Sequence, residues 1–110
     1  MQEKRVLYCM ISIYTTCQNI DEAKKLGKLV VEKKIASCVN IWPIESIYWW
    51  QGAIKEEKEA ALYIKTLESK LQAVEDLISQ NHAYSVPMIA TSNIYRINRS
   101  YKEYMAQVIE

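Results

Sequence analysis

The chain carries a single histidine, His82, and three cysteines, Cys9, Cys17 and Cys38. Imidazoles and thiolates are the side chains that hold transition metals, and a stable site gathers three or four ligands. One chain offers no multi-histidine set. A metal would need His82 from several subunits, or His82 set against another subunit's glutamate or cysteine. The plainer role for His82 is a hydrogen-bonded structural residue at a helix end, where the negative end of the dipole favours its charged form. Cys17 falls in TTCQN, which reads as a polar turn leading into a helix. A helix start lowers a thiol pKa, so Cys17 is the better candidate for a soft metal such as Cu(I). Cys38 opens an apolar stretch and reads as a small buried residue more readily than as a ligand.

A second concentration of chemistry is the stretch SIYWWQG, residues 46–52, which holds two of the three tryptophans. It would suit a stacking platform for nucleic acid, a wall of a ligand pocket, or a surface for another copy of the chain. Composition weighs against the first. With 14 basic and 13 acidic residues the formal net charge is +1, and binding to nucleic acid or to an anionic membrane needs an excess of positive charge. Two glycines leave no room for a phosphate-cradling loop. No apolar run approaches the length of a membrane span, and the segment MQEKRVLYCMISIY reads as a strand and not a signal peptide. The cysteines form no CxxC pair and no disulfide framework, which points to a reducing cytoplasm.

The elements that must position these residues follow from periodicity. Residues 6–14 are apolar almost throughout, as in a strand covered on both faces. Asn19 and Glu22 are spaced as a helix cap, and Ala23, Leu26, Val30 and Val31 recur at helical period through Lys34. Residues 37–50 form a strand whose Pro43 places it at an edge or at a bulge. A turn at Gln51-Gly52 then makes a long hairpin with residues 53–66. Residues 67–81 return to helical period, with Ser69 and Gln72, or else Thr66, at the start. Residues 86–95 form a fourth strand, and Tyr101, Tyr104, Met105 and Val108 line one face of a last helix.

The order is βαββαβ with an added C-terminal helix: an α+β, ferredoxin-like domain over residues 1–110. In that architecture the two main helices cover one sheet face. Yet Leu7, Cys9, Ile11 and Ile13 alternate with Val6, Tyr8, Met10 and Tyr14, so the other face is apolar too. Another subunit is the economical cover.

Four segments, ASCVNI (36–41), SIYWWQG (46–52), YIKT (63–66) and NHAYSVP (81–87), taken in order and spacing, resemble the CutA family of divalent-cation tolerance proteins. The resemblance covers nearly the whole chain. It implies a ferredoxin-like subunit, a tight homotrimer, a cytoplasmic bacterial or organellar setting, and a link to copper and other divalent metals. It implies no established enzymatic activity and no required cofactor. The trimer it implies is similar to that of PII signalling proteins, which bind small effectors in clefts between subunits. The family's hairpin aromatic, tryptophan and glycine fall on Tyr48, Trp50 and Gly52, and its third-strand glutamate on Glu59. Its lysine-threonine pair falls on Lys65 and Thr66, its histidine and tyrosine on His82 and Tyr84, its following proline on Pro87, and its cysteine segment on Cys38. On this resemblance Tyr48, Trp50, Glu59, Lys65, His82 and Tyr84 line one inter-subunit cleft, with the composition of a small-anion or metabolite pocket, or else form an interface core with satisfied ion pairs.

The chain departs from the pattern at Ala83 and Ser85, where the family has proline and glutamate, and at Asn93 and Ile97, where it has proline and glycine. Some members carry a cysteine at the position of Thr15, a candidate copper ligand. Other proteins of this fold fit less well. An acylphosphatase needs an arginine in a glycine-rich loop after the first strand, and TTCQN has neither residue. An RNA-recognition domain needs a glycine-aromatic third strand, and EAALYIKT lacks it. The partners expected are therefore copies of the chain and a metal ion or small effector, with neither nucleic acid nor membrane.

Overall fold

The computed structural model describes residues 9–109. The expected strand residues Val6, Leu7 and Tyr8 lie outside the described residues. Four strands form one sheet: β1 (Met10–Cys17), β2 (Cys38–Trp50), β3 (Ala53–Leu67) and β4 (Ile89–Asn93). Three α-helices join them: α1 (Ile20–Glu32), α2 (Leu71–Asn81) and α3 (Arg99–Val108). The sheet order is β2-β3-β1-β4 and every neighbouring pair is antiparallel. This is the expected α+β, ferredoxin-like arrangement.

β1 does not stop before Thr15. Thr15 pairs with Leu62 and Ile89, Thr16 with Ala61, and Cys17 with Ala60. The hydroxyls made this stretch look like a turn, but threonine is β-branched and suits a pleated surface. Asn19 caps α1 as expected, its side chain accepting from the Glu22 N–H at 2.9 Å. The helix closes with Lys34 at φ 58 and with bonds from the Lys34 and Ile35 N–H groups back to Val31 and Val30, the six-residue closing loop typical of helix C-termini. For α2 the expected caps do not form. A 3₁₀ turn over Glu68–Lys70 leads into it, Lys70 stands at the cap position without a side-chain bond, and Gln72 turns to Asp76. Thr66 remains in β3, buried, and donates to the Ile35 carbonyl at 2.6 Å. β4 is shorter than residues 86–95: Ile89–Asn93 pair with β1 and the Ile94 N–H reaches the Met10 carbonyl at 3.1 Å, while Val86 and Tyr95 stand in solvent, 89% and 95% exposed.

Pro43 sits in β2 without breaking it. β2 is the sheet edge, where a missing N–H costs no ladder bond. One sheet face carries the core: Ile11, Ile13, Cys17, Leu62 and Ile64 pack with Leu26 and Val30 of α1 and Val74 and Ile78 of α2. The helix comes close to the sheet at Gly27. A Cβ there would stand 2.8 Å from Val39 Cγ2 and 3.5 Å from Leu62 Cδ1. Val39 is β-branched and cannot swing aside. Gly27→Ala is therefore expected to destabilise the fold by about 1 kcal/mol, overpacking of ~1–3 kcal/mol outweighing the ~1 kcal/mol gain in helix propensity. A lower urea midpoint checks this; a higher one would mean that β2 gives way.

The second face is only partly covered, and by the chain itself. α3 lies across one end of it, where Met105 and Ile109 pack on Met10 and Leu67, with Ile94, Ile97, Tyr101 and Val108 around them. Beyond α3 runs an aromatic row in which Tyr14 and Tyr63 are half-buried and Trp42 is exposed, with centroids 6.4 Å and 6.5 Å apart along the row. Past the Cys17–Ala60 pair, β2 and β3 continue alone as a two-stranded arm to the turn at Gln51 (φ 48) and Gly52 (φ 79). Two consecutive left-handed residues are what a tight two-residue hairpin requires.

Candidate functional site

Two sites take shape where β1 ends and the arm begins. The first is a buried hub. Glu22 lies in the first turn of α1 and its carboxylate accepts the Gln18 N–H at 2.9 Å and the Ala83 N–H at 2.5 Å. His82 caps the C-terminus of α2, with its side chain wholly buried beside Glu22, Nδ1 to Oε2 at 3.8 Å. The Tyr84 N–H donates to His82 Nδ1 at 3.1 Å, so the ring hydrogen sits on Nε2 and goes to the Thr16 carbonyl at 2.9 Å. The Thr15 hydroxyl stands 3.4 Å from the same nitrogen. Cys17 completes the hub: ligand atoms of Cys17, Glu22 and His82 all lie within 4.8 Å of one another.

Cys17 is not in a turn at a helix start. It is the last residue of β1 and fully buried. Burial, then the nearby charges of Glu22 and Glu59, push its pKa up to about 12. A group held protonated by folding stabilises the fold below its ordinary value of 9.0, and that contribution is lost as the pH rises from there towards 12. At pH 8 the native thiolate fraction should be on the order of a thousandfold below that of an unhindered thiol. Cys17 is therefore expected to resist iodoacetamide in the native protein and to react readily in urea, as peptide mapping by mass spectrometry would reveal. Rapid native labelling would contradict its burial and its raised pKa.

The second site is a groove of about 720 Å³ along the arm's second face. Tyr48 and Trp50 come from β2, Lys55, Glu57 and Glu59 from β3, and Tyr84 and Val86 from the loop after α2. Strand alternation explains the hairpin set, since Tyr48, Trp50, Lys55, Glu57 and Glu59 all point to one face. Trp49 points to the other, beside Ile47 and Ile54, and is 72% exposed. The Tyr84 hydroxyl donates to Glu59 Oε2. Burial first, then Glu59, holds the Tyr84 pKa well above that of a free phenol, and the Tyr48 pKa is raised by desolvation first and by its hydrogen bond to Glu57 second.

A family model described as "CutA1 divalent ion tolerance protein" matches residues 11–108. The chain belongs to the CutA family. It is 38% identical over 99 residues to the divalent-cation tolerance protein CutA of Thermococcus kodakarensis, covering 90% of this chain and 95% of that one. It is 38% identical over 98 residues to human Protein CutA, covering 88% of this chain and 55% of the human one. Among solved structures, the periplasmic divalent cation tolerance protein CutA of Archaeoglobus fulgidus superposes with a TM-score of 0.89 at 35% identity, over 92% of this chain and 99% of that one. CutA1 of Oryza sativa superposes with a TM-score of 0.89 at 37% identity, over 93% and 94%.

Within this CutA chain the groove gathers four of the expected cleft residues, Tyr48, Trp50, Glu59 and Tyr84. It does not gather Lys65, which lies six residues up β3 from Glu59, about 20 Å along a strand. Lys65 reaches instead over the Tyr101 ring of α3, Nζ 5.7 Å from the centroid. Its cross-strand partner is Cys38, so Cys38 sits at the far end of the sheet from Cys17. Cys38 is only half-buried there, near Tyr101, whose pKa is raised by burial first and by Cys38 next. His82 stands behind the groove wall and does not line it. Glu22, the residue that ties the hub together, shows in the sequence only as a capping partner. Of the departures from the family pattern, Thr15 faces His82, while Ala83 and Ser85 line the groove. Asn93 and Ile97 border a separate hollow of about 1030 Å³ beside α3, which is larger but contains none of the expected ligand residues.

Proposed function

We propose that this CutA protein is a non-catalytic, homotrimeric binding protein of the cytoplasm that serves divalent-cation tolerance by taking up a small effector in the groove of the hairpin arm. One observation carries the reading: Tyr48 and Trp50, Glu59, and Tyr84 come from three separate segments onto one groove. Aromatic walls with a few placed polar groups, in a volume of this size, are the composition of small-molecule sites. The trimer is what the family resemblance implies, and the exposed Trp42 of the aromatic row on the second sheet face supports association. The cytoplasm suits Cys17 and Cys38, which carry free thiols. The test is calorimetric titration of a metabolite panel against wild type and Trp50→Ala. Saturable binding that Trp50→Ala weakens supports the groove. Binding that is indifferent to Trp50, or no binding across the panel, counts against it.

A second reading, direct copper coordination, is favoured by the proximity of Cys17, Glu22 and His82. The donor set does not fit it as it stands. Both His82 nitrogens and both Glu22 oxygens are already hydrogen-bonded, and the Cys17 proton is held up to about 12. Ligands must be deprotonated and unpaired before they bind. Cys38 is too far along the sheet to join them. Titration of Cu²⁺ and Cu⁺ into wild type, His82→Ala and Cys17→Ser decides the matter, since identical isotherms would remove these residues as ligands.

A further inference from the structure

We infer that the hub is a proton-operated latch: a proton taken up at His82 Nδ1 exchanges the ring's bond to the Tyr84 N–H for one to the Glu22 carboxylate, and so releases the loop that carries Tyr84. The latch works whether or not the groove takes a ligand. It does not depend on assembly either. The hub closes within one chain, with the His82 and Glu22 side chains 0% and 7% exposed and Cys17 fully buried, so a partner copy can only bury it further. Its bonds are complete without a metal, since every buried side-chain nitrogen and oxygen among the described residues has a hydrogen-bond partner.

The bonds around His82 suit only the neutral ring. Nε2 donates to the Thr16 carbonyl at 2.9 Å, and Nδ1 accepts the Tyr84 N–H at 3.1 Å. An imidazolium has a hydrogen on both nitrogens and accepts at neither. The Nε2 bond survives protonation. The Nδ1 bond cannot, because two N–H donors would then face each other. The acceptor within reach is Glu22 Oε2, 3.8 Å from Nδ1. A buried charge must be paired, so the ring closes on Glu22 and the Tyr84 N–H has to leave. Glu22 keeps the Ala83 N–H, and the loop pivots there. The Tyr84 hydroxyl, bonded to Glu59 at the base of the arm, moves with its residue.

No positive group faces the ring to oppose the exchange. From α1 it meets Glu22, and from β3, across Tyr84, Glu59. β1 offers the Thr15 hydroxyl and the Thr16 carbonyl, both neutral, and Cys17, whose proton is held up to about 12. Tyr84 also keeps its proton, held by burial first and by Glu59 second. α2 ends on His82, and residues 78–81 of its last turn carry no titratable side chain. A histidine kept for structure alone would hold one set of bonds at every pH.

The chain has one histidine, so the imidazole nitrogen resonances of the whole protein belong to His82 alone. Nitrogen NMR from about pH 8 to about pH 5, the range in which imidazoles titrate, reads the protonation of the ring. Hydrogen exchange over the same range gives protection factors for the Ala83 and Tyr84 amides. As the ring takes up its proton, Tyr84 protection is expected to fall about tenfold, as loss of one hydrogen bond allows, while Ala83 stays protected. Glu22→Gln removes the charged acceptor and is expected to move the step to lower pH. His82→Gln keeps a donor and an acceptor but takes up no proton, and should abolish the step. The wild type decides by itself if either variant fails to fold. A ring that stays neutral to the lowest pH would overturn the latch, and so would Tyr84 protection that is unchanged through the titration. Loss of both amides together would overturn the exchange of partners, because the loop would then open as a whole. A step that Glu22→Gln leaves in place, or that persists in His82→Gln, would equally overturn it.

Discussion

Glu22→Ala is expected to lower the unfolding free energy by about 2–4 kcal/mol, a large effect for one residue. The carboxylate accepts two backbone N–H bonds, from Gln18 at 2.9 Å and from Ala83 at 2.5 Å. Bonds to a charged acceptor contribute ~1.5–3 kcal/mol each, reduced where water can replace the lost partner. Gln18 and Ala83 are both exposed residues, so rehydration offsets part of the loss. Glu22 also lies in the first turn of α1, where a negative charge is favoured by the helix dipole. The consequence reaches the groove. Ala83 released from Glu22 frees the loop that carries Tyr84, and Tyr84 is what holds Glu59. Asn19→Ala removes only the local cap, at about 1 kcal/mol, and should leave ligand binding unchanged. Urea unfolding gives the stabilities, and hydrogen exchange at the Ala83 amide reports the loop. A wild-type midpoint together with wild-type exchange in Glu22→Ala would show that the hub holds nothing.

The same residue shows where sequence reading succeeds and where it stops. The Asn19–Glu22 cap is local, three residues apart, and its pattern is visible in the letters. The reach of Glu22 to Ala83 spans 61 residues and has no pattern to betray it. Pro43 at the edge and the Gln51-Gly52 turn were legible for the same local reason. Cys17 was misplaced because Thr15 and Thr16 are polar by composition, while in the sheet their backbone groups join a ladder that the sequence does not display. Of the residues expected in the cleft, Tyr48, Trp50, Glu59 and Tyr84 meet in one groove within the chain and Lys65 lies apart from it. Even spacing puts Glu59 and Lys65 on one strand face, but six residues of strand extend about 20 Å, too far for both to line one groove within a subunit.

The prediction with the widest consequences concerns assembly: Trp42→Glu is expected to convert a trimer into single chains. By alternation Trp42 shares one sheet face with Tyr14 and Tyr63, and it is 42% exposed. The same face runs on along the arm to Tyr48 and Trp50. α3 covers only the opposite end, at Met10 and Leu67. Two features need a neighbour. A two-stranded ribbon is marginal in water by itself, yet this arm continues from the Pro43–Ala60 pair to Trp50–Ala53 with no third described strand beside it. Trp42, Tyr48 and Trp50 are 42%, 36% and 54% exposed, so a partner copy would take aromatic surface on this face out of water. A partner copy would satisfy both features, and three is the number that the family resemblance implies. Sedimentation should give a wild-type mass near three chains of 12.8 kDa and a lower mass for Trp42→Glu. Thermal unfolding of the wild type should depend on concentration, because folding and association then share one free energy. A wild type that sediments as one chain would leave the arm and the aromatic row without a purpose in assembly. A Trp42→Glu protein that stays trimeric would move the interface off this face.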